Sequence, residues 1–201
     1  MNTLKNNYVV GLIGGIATGK STIADYFKNF NIPVIDTDSI GKDLYLPGQP
    51  GFNPIVNRYG QEILSNHHIN RQKLAEIIYA NPHEKAWLED LLHPLIREAS
   101  LKKLKSHCAY NILMIPLLKD RHSYPLDQVI LTYASQKTQI ERLNKYRRMD
   151  EKMAQLIINN QPTFNQQLKI ADYIIDTDKD LNEVFNETEQ VHLKLSLLFN
   201  T

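Results

Sequence analysis

The stretch Gly14-Gly15-Ile16-Ala17-Thr18-Gly19-Lys20-Ser21 matches G-x-x-x-x-G-K-[ST] at every constrained position. The chemistry served by this spacing is the binding of a nucleoside triphosphate. Successive backbone N–H groups converge on phosphate oxygens only where the loop takes angles that a Cβ obstructs, and Gly14 and Gly19 permit them. A helix starting at Lys20 adds its open N-terminal amides and positive dipole end. Lys20 then brings a point charge to the β- and γ-phosphates, Ser21 offers a hydroxyl to Mg²⁺, and Thr22 is a further contact for the α-phosphate. The nine residues 14–22 are therefore the expected ATP site, with Mg²⁺ as its companion. The motif specifies nucleotide binding and leaves the reaction open.

Transfer of a phosphoryl group to an alcohol needs a base near the acceptor proton. Asp36 ends the strand expected after the first helix, and in open parallel sheets ligands gather at the carboxyl ends of strands. It is the candidate base. Asp38, two residues on, orients Asp36, meets water around the metal or caps the next helix. Charge on the transferring group calls for arginine as well as lysine. Glu141-Arg142-Leu143-Asn144-Lys145-Tyr146-Arg147-Arg148 supplies candidates, Arg142 first and Arg147 second.

The elements that must position these groups follow from periodicity. Residues 8–13 form an unbroken apolar run, the mark of a strand covered on both faces. Residues 21–30 place Ile23, Ala24, Phe27 and Phe30 at helical spacing, with Asn31 as a stop and Pro33 beyond it. A second strand over 33–36 completes a βαβ unit. From about 41 to 110 only helices are predicted, including 71–79 and a long apolar stripe from Trp87 to Ala99 that Pro94 should kink. Further strands are expected over 111–115, 128–133 and 173–176, and then a helix carrying Leu181, Val184, Val191 and Leu195 on one side. This order predicts a parallel α/β sandwich with a helical insertion after the second strand.

Bulk composition narrows the functional class. A formal charge of +1 leaves no basic field for nucleic acid, so no such partner is expected. Apolar runs are far too short to cross a bilayer, and residues 1–7 are polar with one lysine. The single cysteine, Cys108, rules out an internal disulfide. A cytoplasmic protein without a membrane partner is the expectation. Seven histidines, among them His67-His68, form no recognisable metal-ligand spacing, and Thr177-Asp178-Lys179-Asp180 does not match the Asn-Lys-x-Asp guanine signature.

Several blocks occur in a fixed order: the loop 14–22, Val34-Ile35-Asp36-Thr37-Asp38, Leu92-His93-Pro94-Leu95-Ile96, Ile115-Pro116-Leu117-Leu118, and Ile170-Ala171-Asp172-Tyr173-Ile174-Ile175-Asp176. Together they resemble dephospho-coenzyme A kinase from about residue 8 to residue 176. The resemblance implies a P-loop kinase-type three-layer sandwich, with a five-stranded parallel sheet and helices on both faces. It implies one domain over 1–201: a core of about 8–40 and 110–201, an acceptor-binding insertion of about 41–109, and a lid of about 142–165. It implies transfer of the ATP γ-phosphate to the ribose 3′-hydroxyl of dephospho-CoA by a monomer or weak homo-oligomer. Asp36, Lys20 and Arg142 become the catalytic candidates, Arg147 a further nucleotide contact, and Asp36, Arg71 and His93 the acceptor contacts. The chain also departs from the family pattern. Ala17 stands where glycine is common, and costs little if its backbone angles are ordinary. Tyr146 replaces an expected lid arginine, and Pro116-Leu117-Leu118-Lys119-Asp120 carries aspartate where glutamate is usual.

Overall fold

Hydrophobic periodicity and capping residues set out the elements of the computed structural model, which describes residues 8–116, 118 and 120–199. In chain order they are β1 (Val9–Ile13), α1 (Lys20–Asn29), β2 (Val34–Asp36), α2 (Thr37–Asp43), α3 (Phe52–Tyr59), β3 (Leu64–Ser65), β4 (His68–Ile69), α4 (Arg71–Ala80), α5 (Pro82–Lys102), β5 (Asn111–Met114), β6 (Gln128–Tyr133), α6 (Gln136–Arg147), α7 (Glu151–Asn159), α8 (Phe164–Leu168), β7 (Tyr173–Asp176) and α9 (Leu181–Phe199). The chain divides into two units, Met1–Ile35 with Leu104–Thr201, and Asp36–Lys103. No described helix is long and apolar enough to cross a membrane. Leu117 and Lys119, within one of the family-like blocks, lie outside the described residues.

The first unit is built on a sheet of order β2-β5-β1-β6-β7. The pairs β1–β5, β1–β6 and β6–β7 are all parallel. All five residues of β1 are buried, as a central strand covered on both faces requires. Val10 and Leu12 pack with Ile23, Ala24 and Phe27 of α1 and with Val184, Val191 and Leu195 of α9. Full burial of Phe27 alone contributes about 1.5–3 kcal/mol. Gly11 is small because Leu126 approaches closely: a Cβ there would lie 2.9 Å from Leu126 Cδ1. Helix α1 stops where Asn31 turns to a φ of 60° and Pro33 forbids continuation.

The amino ends of the strands are held by carboxylates. Asp127 Oδ2 accepts from Val9 N–H (2.8 Å), and Asp172 Oδ2 accepts from Val129 N–H (2.8 Å) while pairing with Arg121 at 2.9 Å. Asp172, part of a family-like block, thus fastens the edge opposite the chemistry. Strand order steps outward from β1 on both sides, so the topological switch lies at the carboxyl end of β1, where the glycine loop leaves the sheet.

The second unit is helical around Ile55, Ile63, Ile69, Leu74 and Leu88. Asn70 and Asn81 cap α4 and α5 through their side-chain oxygens. Helix α5 runs on past Pro94 to Lys102. The expectation of helices alone needs correction: β3 and β4 form an antiparallel hairpin. Its two-residue turn, Asn66-His67, has φ of 49° and 63°, the positive-φ pair that tight hairpins use. Strands of two residues carry too little alternation to register as a period. The adjacent histidines serve this turn, His68 Nδ1–H donating to Asn66 O at 2.8 Å. The segment after Lys103 goes with the sheet, because the Asn111 side chain bonds both the amide and the carbonyl of Lys105 (2.8 and 3.0 Å).

Candidate active site

The loop between β1 and α1 owes its shape to backbone angles that its sequence allows. Gly14 has φ of 149°, and a Cβ there would fall 2.3 Å from Thr132 Oγ1 and 2.7 Å from Thr132 O. No side chain fits. Gly19, the N-cap of α1, has φ of 84° and abuts Thr177. Helix α1 has neither a side-chain cap nor an acidic residue in its first turn, so its positive end is uncompensated. Lys20 folds back over the loop and donates from Nζ to Gly14 O (2.6 Å) and Gly15 O (2.7 Å). Ser21 and Thr22 are exposed in the first turn.

Buried hydroxyls fix this loop to the neighbouring strands. Thr18 Oγ1 bonds Gly15 O at 2.9 Å and shares a hydrogen bond with Thr132 Oγ1 at 2.7 Å; Thr132 Oγ1 also reaches Ile13 O at 3.2 Å. Thr177, just after β7, lies 3.0 Å from both Thr18 O and Tyr133 O through its hydroxyl. Arg142 closes the arrangement. Its guanidinium donates to Ala17 O (3.1 Å), Thr177 Oγ1 (2.9 Å) and Thr177 O (2.6 Å). Burial alone would raise the nearby Asp178 carboxyl. The Ser135 amide, the Thr138 and Ser135 hydroxyls and the Arg142 charge together outweigh it and hold that carboxyl below its usual value.

Ala17 does not meet the condition of ordinary backbone angles under which its methyl group would cost little. Its φ is 58°, in the left-handed region, so its methyl group is strained rather than indifferent. The angle is retained because Ala17 O is held by Arg142 while Thr18 is locked by hydroxyls on either side.

The remaining predicted residues separate by unit. Asp36 closes β2, and its Oδ1 accepts from Asp38 N–H at 3.0 Å, capping α2. Arg71 opens α4, donates to Lys42 O (3.3 Å) and stands 5.4 Å over the Tyr45 ring. His93 is exposed on α5. In the first unit, Arg147 is exposed in the last turn of α6, and Tyr146 is 73% exposed, so a side chain at that position faces solvent. Asp120 is exposed and caps a 3₁₀ turn through His122 N–H. Sequence reasoning missed Thr132, Thr177 and Gln161. Gln161 Oε1 accepts from Ile16 N–H at 2.7 Å, tying the turn after α7 to the phosphate loop. A threonine ending the apolar run 129–132 was a visible signal for Thr132; nothing local marks the other two.

The sequence model of the dephospho-CoA kinase family matches residues 8–183, a span that holds the loop, Asp36, Arg142 and Thr177. The chain belongs to the dephospho-CoA kinase family. A dephospho-CoA kinase of Mannheimia succiniciproducens is 38% identical over 191 residues, covering 94% of this chain and 89% of that protein. Among solved structures, a Thermus thermophilus protein superposes with a TM-score of 0.81 at 21% identity, over 94% of this chain and 98% of its own. A dephospho-CoA kinase from Campylobacter jejuni does so at 0.67 and 22%, over 94% and 96%. The fold is that of the P-loop kinases, a five-stranded α/β sandwich. As a dephospho-CoA kinase the chain is an ATP-dependent phosphotransferase of coenzyme A biosynthesis.

Proposed function

We propose that this chain makes coenzyme A by moving the γ-phosphate of ATP to the ribose 3′-hydroxyl of dephospho-CoA, with Asp36 taking the hydroxyl proton. The O3′–P bond forms as the bond to the bridging β–γ oxygen breaks, and ADP leaves. Amides of residues 14–22 and the Lys20 ammonium hold the phosphates, with Arg142 bracing the loop and Arg147 adding charge from the end of α6. Arg71 and His93 contact the acceptor from the helical unit. The observation that carries the reading is the uncompensated positive end of α1 beneath a loop that only glycine can shape at Gly14.

Mg²⁺ fits the donor chemistry of this site. The ion takes one or two protein oxygens and completes its shell with phosphates and water, and Ser21 offers an exposed hydroxyl in the first turn of α1. Bound there, Mg²⁺ neutralises charge on the β- and γ-phosphates. The enzyme acts in the cytoplasm as a monomer or weak homo-oligomer, organised as one kinase domain with the helical insertion of about 41–109 and a lid of about 142–165.

Asp36→Asn tests the base. Asparagine caps a helix about as well as aspartate, so folding and ATP protection against thermal unfolding persist while turnover falls by about 10² or more. Wild-type turnover by this variant removes Asp36 from the role.

A further inference from the structure

The Ile16 N–H donates to Gln161 Oε1 at 2.7 Å, a bond within the first unit between residues 145 positions apart. Gly15 leaves room for it: a Cβ there would lie 3.2 Å from the same oxygen. Ile16 belongs to the loop whose amides are assigned to phosphate, and a backbone amide has one hydrogen to give. Gln161 and a phosphate oxygen therefore compete for it. The phosphate is the stronger acceptor, because a hydrogen bond to a charged group is roughly twice as strong as one between neutral groups. The half-buried Gln161 oxygen must then meet another donor or lose its bond.

The backbone around Gln161 is already committed. Gln161 N–H donates to Ile158 O at 3.1 Å at the end of α7, and Thr163 opens α8 with a capping box to Gln166. What can turn is the side chain, through its χ angles.

A donor lacking an acceptor shares the wall into which that side chain can turn. Gln161 and Gln167 both line a chamber of about 350 Å³ beside the loop. Gln167 is only 4% exposed, and its Nε2 is the one buried side-chain nitrogen or oxygen among the described residues without a hydrogen bond. A buried donor in that condition destabilises the folded chain and calls for a use. Every lining side chain is uncharged, so no cation draws the Gln161 oxygen and no carboxylate takes the Gln167 donor. The Gln139 amide in the same wall is already engaged, Nε2 donating to Ala134 O at 3.1 Å.

Resting on the reading of residues 14–22 as the ATP site, we propose that Gln161 Oε1 passes from Ile16 N–H to Gln167 Nε2 as a phosphate oxygen takes that amide. One neutral hydrogen bond replaces another, and the charged one is gained in addition. Gln161 and Gln167 thus act as a pair of positioning residues that set the affinity for ATP.

The test is a double-mutant cycle on ATP binding, with Mg²⁺ present, by calorimetric titration of wild type, Gln161→Leu, Gln167→Leu and the double variant. Gln167→Leu made in wild type raises the Kd for ATP roughly three- to tenfold, because the displaced oxygen loses its second donor. The same change made on top of Gln161→Leu alters Kd by less than about twofold, because no oxygen needs receiving. Equal losses in both backgrounds would mean that Gln167 acts by packing or by touching the nucleotide itself, and would overturn the proposal. An unchanged Kd in wild type would overturn it too. Melting temperature checks folding: leucine removes the unpaired amide, so Gln167→Leu melts at or above wild type. A second measurement needs no variant. In the NMR spectrum of unaltered protein, ATP should move the Gln167 side-chain amide protons downfield and slow their exchange with water; resonances that ATP leaves in place would contradict the transfer. Wild-type protein that binds no ATP would remove the site reading and this proposal together, whereas ATP binding with equal losses removes the proposal alone.

Discussion

The phosphate loop and the segment from the turn after α7 to the end of α8 belong to the same unit and are held by opposite means. The loop is fixed from beneath by threonine hydroxyls and the Arg142 fork, each bonded to backbone carbonyls within 3.2 Å. That segment reaches the loop through the Gln161 side chain and carries in Gln167 a buried donor without a hydrogen-bond partner among the described residues. Rigidity is what the loop needs, because charge on a phosphate must be met in one geometry.

Removing the loop's charge should have the largest effect. Lys20→Ala leaves β1, α1 and the hydroxyl bonds in place and lowers turnover by about 10³, measured as ADP release at saturating substrates. Near-normal turnover would mean that the loop is only a scaffold. Arg142→Lys comes next: the charge stays but the fork is lost, and one ammonium cannot serve Ala17 O, Thr177 O and Thr177 Oγ1 together. The expected cost is about 1–3 kcal/mol by denaturant unfolding, with a raised KM for ATP. A stability equal to wild type would show that the loop needs no brace. The smallest effect has the opposite sign. Ala17→Gly relieves about 1–2 kcal/mol of left-handed strain and loses about 0.4–1 kcal/mol to the freer unfolded chain, so the melting temperature rises slightly. A lower melting temperature would mean that the 58° angle is not strained.

The parts that sequence alone revealed are those whose signal is local. The glycine–lysine–serine spacing lies in one continuous stretch, and β1, β5 and β6 betray themselves by apolar runs that a doubly covered strand must have. Asp36 could be placed because the strand that it ends follows directly on the first helix. Thr177 could not. Its hydroxyl matters only because β7 lies beside β6, which brings residue 177 against residues 18 and 133, and no pattern within 173–180 encodes that adjacency. The same holds for Gln161, bonded to a residue 145 positions away. Whether Ala17 meets the condition of ordinary angles could not be read from the sequence, because its angle is set by neighbours on either side rather than by its own preference.

The central claim is that the loop around Lys20 delivers phosphate from ATP to dephospho-CoA. Purified protein with ATP and Mg²⁺ should release ADP in proportion to added dephospho-CoA and little without it, and phosphorus–proton NMR of the product should place the new ester on the ribose 3′-carbon. ADP release that ignores the acceptor, or an ester at another position, would contradict the account.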